Sequence, residues 1–255
     1  MAVVWLSSYP RSGNTWLRFL LYSYLKGEAK HGEDVHRLIP DIHKIPRNEL
    51  IDRGDLTLFK THLMAGPNHP LMKRTKGFIN VVRHPKDVLI SSLNFMKTTG
   101  QFSGTDREFA ESFIKSMGVP VWMNVGFGNW TGHVASWMAA AQRFPHAFLR
   151  YERLKLNPVD ELRAAVRVLG VEMDEVRLEQ AVEAASFENM RKLEAREASE
   201  GVKSTVFALR EGSGRTRRHV HQGQTGQRLE TLGEGLDEEF DRRFEAVLSL
   251  LGYPV

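Results

Sequence analysis

The feature that constrains this chain most is an alternation of short, nearly continuous apolar runs with helical patterns, each run ending in a polar cluster. Residues 3–6 end in Ser7-Ser8-Tyr9-Pro10, after which Trp16, Leu17, Phe19, Leu20 and Leu21 recur at helical spacing. Residues 56–59 end at Lys60-Thr61-His62. Residues 77–82 end at Arg83-His84-Pro85 before an aliphatic helix, and residues 147–151 end at Glu152 before Leu162, Ala165, Val166, Val168 and Leu169. Strands apolar on both faces must be covered on both faces. The pattern therefore implies an α/β fold, a central parallel sheet flanked by helices in a doubly wound arrangement. Ligands of such sheets bind outside the carboxyl ends of the strands, where these polar clusters fall.

With 255 residues, 42% of them hydrophobic, the chain can bury one large core, and it shows neither repeats nor an interdomain linker. We read residues 1–255 as one domain. From about residue 194 to 235 the pattern dissolves into Gly, Ser, Thr, Gln and Arg, including Arg210-Glu211-Gly212-Ser213-Gly214-Arg215 and Arg217-Arg218-His219; such a segment is a functional lid or is disordered. Leu236, Phe240, Phe244, Val247, Leu248 and Leu251 then mark a closing amphipathic helix. The formal charge of +4 suits a small anionic ligand and does not call for nucleic acid. The absence of cysteine excludes disulfides, thiolate zinc sites and a cysteine nucleophile, and permits a reducing compartment. No segment reaches the roughly 18 apolar residues of a membrane span, and no basic, then apolar leader pattern opens the chain. The expectation is a cytoplasmic protein that does not enter membranes.

The loop Tyr9-Pro10-Arg11-Ser12-Gly13-Asn14-Thr15-Trp16 joins the first strand to the first helix. Its small residues let backbone N–H groups approach an anion, the helix N-terminus adds a favourable dipole, and Arg11 adds a planar cation. Taken alone, such a loop is more often a Gly/Ser turn with a surface arginine. It lacks the G-x-x-x-x-G-K-[ST] pattern of a magnesium-dependent nucleoside triphosphatase.

This loop resembles the phosphosulfate-binding loop of sulfotransferases that use 3′-phosphoadenosine-5′-phosphosulfate (PAPS), which reads Tyr-Pro-Lys-Ser-Gly-Thr-Thr-Trp; Arg11 stands at the lysine and Asn14 at the first threonine. The resemblance continues, in family order, through Lys60-Thr61-His62, Arg83-His84-Pro85-Lys86-Asp87-Val88 to Ser91, Gly128-Asn129-Trp130 with His133, Tyr151-Glu152-Arg153-Leu154, and Ser186-Phe187-Glu188-Asn189-Met190. It implies a P-loop-like phosphosulfate-binding loop, a PAPS cofactor and no metal. It places His62 at the catalytic base, Arg11 at the leaving-group cation, and Arg83 with Ser91 at the cofactor's 3′-phosphate. Ser12, Gly13, Asn14 and Thr15 complete the loop, while Trp16, Tyr151 and Phe187 fall where the family contacts adenine. Lys60 shares a strand face with His62, either to stabilise the sulfuryl oxygens or to form an ion pair. For Arg83 a salt bridge to Asp87 is the structural alternative. Arg11, always charged, stabilises the leaving oxygen electrostatically and does not readily donate a proton.

The pattern departs from the family in the lid. Where relatives carry Arg-Lys-Gly, this chain has His221, Gln222 and Gly223, with Gly226 at the later glycine; Arg210, Arg217 or Arg218 are the replacements available to the 3′-phosphate. The family's dimer motif is missing after Gly226, which leaves the oligomeric state open. For the acceptor, residues 41–53 and 94–128, with Phe95, Met96, Phe102, Phe109, Phe113, Met117, Trp122, Met123 and Phe127, either wall a pocket for a bulky or aromatic hydroxyl compound or belong to the core. His133 is a further candidate for that wall. The loop looks most like those of bacterial enzymes that modify secondary metabolites, and small-molecule, glycan and peptide-antibiotic hydroxyls all stay open. Two other classes share a strand–loop–helix phosphate site: a metal-dependent nucleotide kinase, against which Lys60 and Arg83 stand where acidic metal ligands are needed, and a non-catalytic nucleotide-binding module, against which His62 stands.

Overall fold

The computed structural model describes residues 2–45, 56–202, 205–207 and 223–253. Four strands form one wholly parallel sheet: β1 (Ala2–Ser8), β2 (Leu56–Thr61), β3 (Thr75–Val82) and β4 (His146–Arg150), in the order β2-β1-β3-β4. Leu6 pairs with Lys60 on one side and Ile79 on the other, and Val81 pairs with Leu149. The chain leaves β1 toward β2 and returns across it to β3. The order of the strands therefore reverses between β1 and β3, and the loops after these two strands diverge there to open a crevice.

Alternation along β1 assigns its faces. Val4 and Leu6 join Leu58, Ile79, Val81 and Leu149 under helices α1 (Asn14–Lys26), α8 (Pro158–Leu169) and α9 (Glu175–Ala184). Val3 and Trp5 point the other way and pack with Phe59, Phe78 and Trp137 of α6 (Trp130–Ala140). A third cluster lies among α3 (Pro85–Thr98), α4 (Asp106–Ser116) and α11 (Leu236–Leu250), with α5 (Pro120–Met123) beside it. The remaining helices are α2 (Gly32–Leu38), α7 (Tyr151–Leu156) and α10 (Phe187–Ser199).

The first three strands extend beyond the apolar runs at 3–6, 56–59 and 77–82, and two further boundaries differ from the sequence reading. The fourth apolar run stops as a strand at Arg150, and Tyr151 opens α7. Helix α10 runs to Ser199, into the stretch read as irregular from residue 194, because Ser186 caps it (Asn189 N–H to Ser186 Oγ, 3.3 Å) and no Gly or Pro interrupts it. The closing helix falls where the periodicity puts it. No helix among the described residues is long and apolar enough to cross a membrane.

Candidate active site

The loop after β1 is held from both ends. Tyr9 is buried, and its hydroxyl accepts the Val119 N–H at 2.8 Å. Asn14 turns its side chain back into β1, donating Nδ2 to Leu6 O (3.0 Å) and Ser8 Oγ (3.2 Å), so Asn14 braces the loop. Between them Arg11 (φ 68°) and Gly13 (φ 101°) are left-handed and curl the backbone over the start of α1. A Cβ on residue 13 would lie 2.5 Å from Tyr151 Cδ2, so only glycine fits there.

Arg11 and Arg83 meet at the crevice between β1 and β3. Arg83 donates Nη1 to Arg11 O (3.0 Å) and Nη2 to Gln224 O (2.7 Å), and its guanidinium carbon lies 4.6 Å from the centre of the Tyr151 ring. Arg11 donates Nε to Ser91 Oγ at 3.1 Å and lies 5.1 Å from the Phe95 ring centre. Neither guanidinium has a salt bridge among the described residues. The alternative pairing of Arg83 with Asp87 does not form: the Asp87 carboxylate accepts the backbone N–H groups of Gly226 (3.2 Å) and Gln227 (3.0 Å). Burial, with Arg83 close by, lowers Arg11 to about 10, which still leaves it charged at neutral pH. Ser12 Oγ and Arg83 Nε are buried without a hydrogen-bond partner. Two adjacent cations and orphaned donors at the carboxyl ends of parallel strands form a site for a polyanion.

These groups open onto a cavity of about 380 Å³. Trp16, Tyr151 and Phe187 line one end of it: the Trp16 ring lies 4.8 Å from Phe187 and 5.9 Å from Tyr151, and its Nε1 is fixed on Ala185 O at 2.9 Å. Gly223 closes this end. A Cβ there would lie 2.7 Å from the Tyr151 hydroxyl and 2.8 Å from Phe187 Cζ, and Gly223 O accepts from Lys155 Nζ at 2.8 Å. Flat aromatic faces beside cations suit a heteroaromatic base carrying phosphates.

His62 follows directly after β2. Its Nδ1 lies 2.7 Å from Ser8 O, and because a carbonyl only accepts, Nδ1 carries the proton and the Nε2 lone pair is left free. Burial, then the charges of Lys60 and His43, hold its pKa well below the usual imidazole range, so the ring is neutral and able to take a proton at pH 7. Lys60 also lines the cavity, and its Nζ pairs with Asp41 Oδ2 at 2.8 Å; both residues are buried, so the ion pair of the sequence reading is an interior one.

Phe127, whose ring centre lies 5.6 Å from that of His62, also lines the cavity, as do Phe95, Trp122, Asn94, Lys44 and Val206. The other aromatic and methionine candidates lie elsewhere. Met96, Phe109 and Phe113 belong to the core against α11, where Phe113 stacks 6.3 Å from Phe244, and Met123 is exposed. His133 is fully buried 6.0 Å from the Tyr9 ring, outside the cavity wall, because its turn of α6 faces inward. Sequence reasoning missed Arg18, His43, Gln224 and Gln227. Arg18 lies one turn beyond Asn14 on α1, a spacing that signals a shared face. His43 carried no local signal, yet its Nε2 accepts the His62 N–H at 3.0 Å. Gln222, Arg210, Arg217, Arg218 and His221 lie outside the described residues, as does most of 41–53. Among the described residues no cluster of three His, Asp or Glu side chains is placed to hold a metal.

With this geometry in hand, comparison shows that a family profile described as "Sulfotransferase domain" matches residues 2–252. Sulfotransferase 1B1 of Mus musculus is 29% identical over 210 residues, which cover 73% of this chain and 64% of that protein. Sulfotransferase 1A1 of Rattus norvegicus is 29% identical over 199 residues, covering 73% of this chain and 66% of that protein. The chain thus spans less than two thirds of the length of these relatives. Among solved structures, mouse sulfotransferase SULT7A1 complexed with PAP superposes with a TM-score of 0.71 at 21% identity, covering 97% of this chain and 84% of that one. Retinol dehydratase in complex with androsterone and inactive cofactor PAP gives 0.69 at 18% identity, covering 96% and 80%. At these identities the structural likeness is one of fold.

Proposed function

The chain belongs to the sulfotransferase family, and from that membership we propose that it transfers a sulfuryl group from PAPS to an acceptor hydroxyl by in-line displacement, with His62 as general base. The observation that carries this reading is the pair Arg11 and Arg83, two cations joined at the crevice between β1 and β3 and without a salt-bridge partner among the described residues. The orphaned Ser12 Oγ and Arg83 Nε and the glycine-only contact at Gly13 fit a phosphorylated nucleotide, and fold neighbours are described as PAP complexes.

When bound, PAPS supplies the activated sulfuryl group. Trp16, Tyr151 and Phe187 would enclose the adenine, Arg83 and Ser91 would take the 3′-phosphate, and the backbone of Ser12 to Thr15, with Gly223, would complete the cofactor contacts. His62 Nε2 takes the proton of the acceptor hydroxyl as the oxygen–sulfur bond forms, and Nδ1–H on Ser8 O steadies the imidazolium. Arg11 meets the charge that builds on the leaving phosphate oxygen, electrostatically and without giving up a proton. Lys60, which lines the cavity, would stabilise the sulfuryl oxygens. Phe95, Trp122 and Phe127 support a bulky or ring-bearing small molecule as acceptor. A cytoplasmic location is proposed with this reading, with which the cysteine-free sequence is compatible.

Calorimetric titration with PAP, the desulfated cofactor, with and without magnesium, tests the cofactor assignment without knowledge of the acceptor. Magnesium-independent binding lost in Arg11→Ala and Arg83→Ala is the expected result; a requirement for magnesium, or no binding at all, would overturn it.

A further inference from the structure

The contact between Asp41 and Lys60 carries an inference beyond these roles, although it rests on the sulfuryl-transfer reading. The loop after α2 runs beside β2 as an extra bridge: Lys60 N–H donates to Pro40 O at 2.9 Å, and Ile42 N–H to Lys60 O at 3.1 Å. Arg18 fixes the approach to this loop by donating Nε and Nη2 to Ile39 O at 3.0 and 2.6 Å. Asp41 and Lys60 consequently face each other in backbone and side chain alike. Asp41 Oδ2 accepts from Lys60 Nζ at 2.8 Å and Oδ1 accepts the His43 N–H at 3.0 Å. The two residues are 6% and 8% exposed, so water contributes little to solvating the ammonium. We propose that Asp41 is a positioning residue for the transfer: its carboxylate keeps Lys60 charged and aimed into the cavity beside His62.

The electrostatic surroundings make this role necessary. Lys60 is faced by Asp41, Lys44 and His43 from the same loop, by Arg18 from α1 and by His62 beyond β2, while Glu33 of α2 acts on Arg18 and Lys44. Among the described residues, the charged groups acting directly on Lys60 other than Asp41 are the cations Arg18 and Lys44. Burial already lowers Lys60 to about 8 with Asp41 in place to oppose it. Without that carboxylate, an amine among cations sheds its proton, and a neutral amine neither attracts sulfuryl oxygens nor has reason to hold its direction. Asp41 also opposes the depression that Lys60 imposes on His62.

Asp41→Asn tests this, because it keeps the side-chain shape and the oxygen for His43 N–H while removing the charge. The titration of Lys60 is followed by NMR on lysine-labelled protein, with its signal identified by loss in Lys60→Met. In Asp41→Asn the titration should move down by about one pH unit or more. Asp41→Glu, which restores the carboxylate, should recover most of that shift and guards against a folding defect. In turnover of PAPS with 2-naphthol as probe, the alkaline limb should move with the Lys60 titration, kcat falling about three-fold or more at pH 7.5 with little change in KM for PAPS. An unmoved Lys60 titration, or a moved one with an unmoved alkaline limb, overturns the proposal. Failure of the parent protein to bind PAP overturns the sulfuryl-transfer reading instead.

Discussion

Arg11 and Ser91 stand 80 positions apart in the chain and are joined by a 3.1 Å hydrogen bond from the guanidinium Nε to the hydroxyl oxygen. Phe95, one turn further along α3, lies 5.1 Å from the same guanidinium. The planar Arg11 cation thus has a planar neighbour and a fixed acceptor, so its direction is set before any ligand arrives. Ser91→Ala should free Arg11 and remove one donor from the phosphate site. The expected result is PAP affinity about ten-fold weaker, with thermal stability nearly unchanged because Ser91 is only half-buried. Unchanged affinity would dissociate Ser91 from the site.

For His62 the sign of the pH dependence follows from the direction of its shift. Burial and the nearby Lys60 and His43 disfavour the imidazolium, so the base form persists below the ordinary histidine range. The acid limb of kcat/KM for PAPS turnover should therefore lie below pH 6.5. His62→Ala should lower kcat by about 10² to 10⁴ while PAP binding survives. An acid limb at or above 6.5, or retained turnover in His62→Ala, would remove His62 from the role of base.

The strands and the phosphate loop were legible in the sequence because their signals are local: apolar runs bounded by polar clusters, and small residues around Arg11. Lys60 near the end of β2 and His62 directly after it stand where the apolar run gives way to polar residues, and their roles were legible only through the family resemblance of Lys60-Thr61-His62. What was not legible depends on contacts distant in sequence. Nothing near Lys60 indicates that Asp41, 19 positions earlier, becomes its counter-ion, nor does anything near Arg83 point to Gln224 O across 141 positions. The aromatic residues of 94–128 share one composition, yet Phe95, Trp122 and Phe127 reach the cavity while Phe109 and Phe113, four apart on α4, face α11. Composition cannot separate those two fates; only helix rotation against neighbours does.

Gly13 gives a packing prediction. Its φ of 101° and the 2.5 Å approach to Tyr151 make Gly13→Ala both strained and crowded. Stability should fall by about 1–3 kcal/mol in denaturant unfolding, and PAP affinity should fall with it because Tyr151 must move. Tyr151→Leu in the same chain relieves the crowding but not the strain, so it should restore part of the stability and none of the affinity. Full recovery of both would place the defect elsewhere.

His133 sets an expectation for acid stability. The ring is fully buried, neither nitrogen has a hydrogen-bond partner among the described residues, and burial, with His69 adding to it, lowers the pKa to about 3. The unfolded chain takes up this proton near pH 6.5, whereas the folded protein refuses it until about pH 3. Above pH 6.5 both states are neutral here and the group leaves stability independent of pH. As pH falls from 6.5 toward 3, unfolding gains up to about 1.4 kcal/mol per pH unit from this one group. His69, lowered to about 4 chiefly by burial, acts in the same direction. His133→Phe keeps an aromatic ring beside Tyr9 and removes the proton site, so unfolding free energies at pH 7.5 and 5.0 should lie closer together than in the parent, by roughly 2 kcal/mol. It should also cost little at pH 7.5, since the substitution removes two unsatisfied polar atoms from the interior. Parallel pH profiles for parent and variant would mean that His133 titrates alike in the folded and unfolded chains, which a fully buried position does not allow.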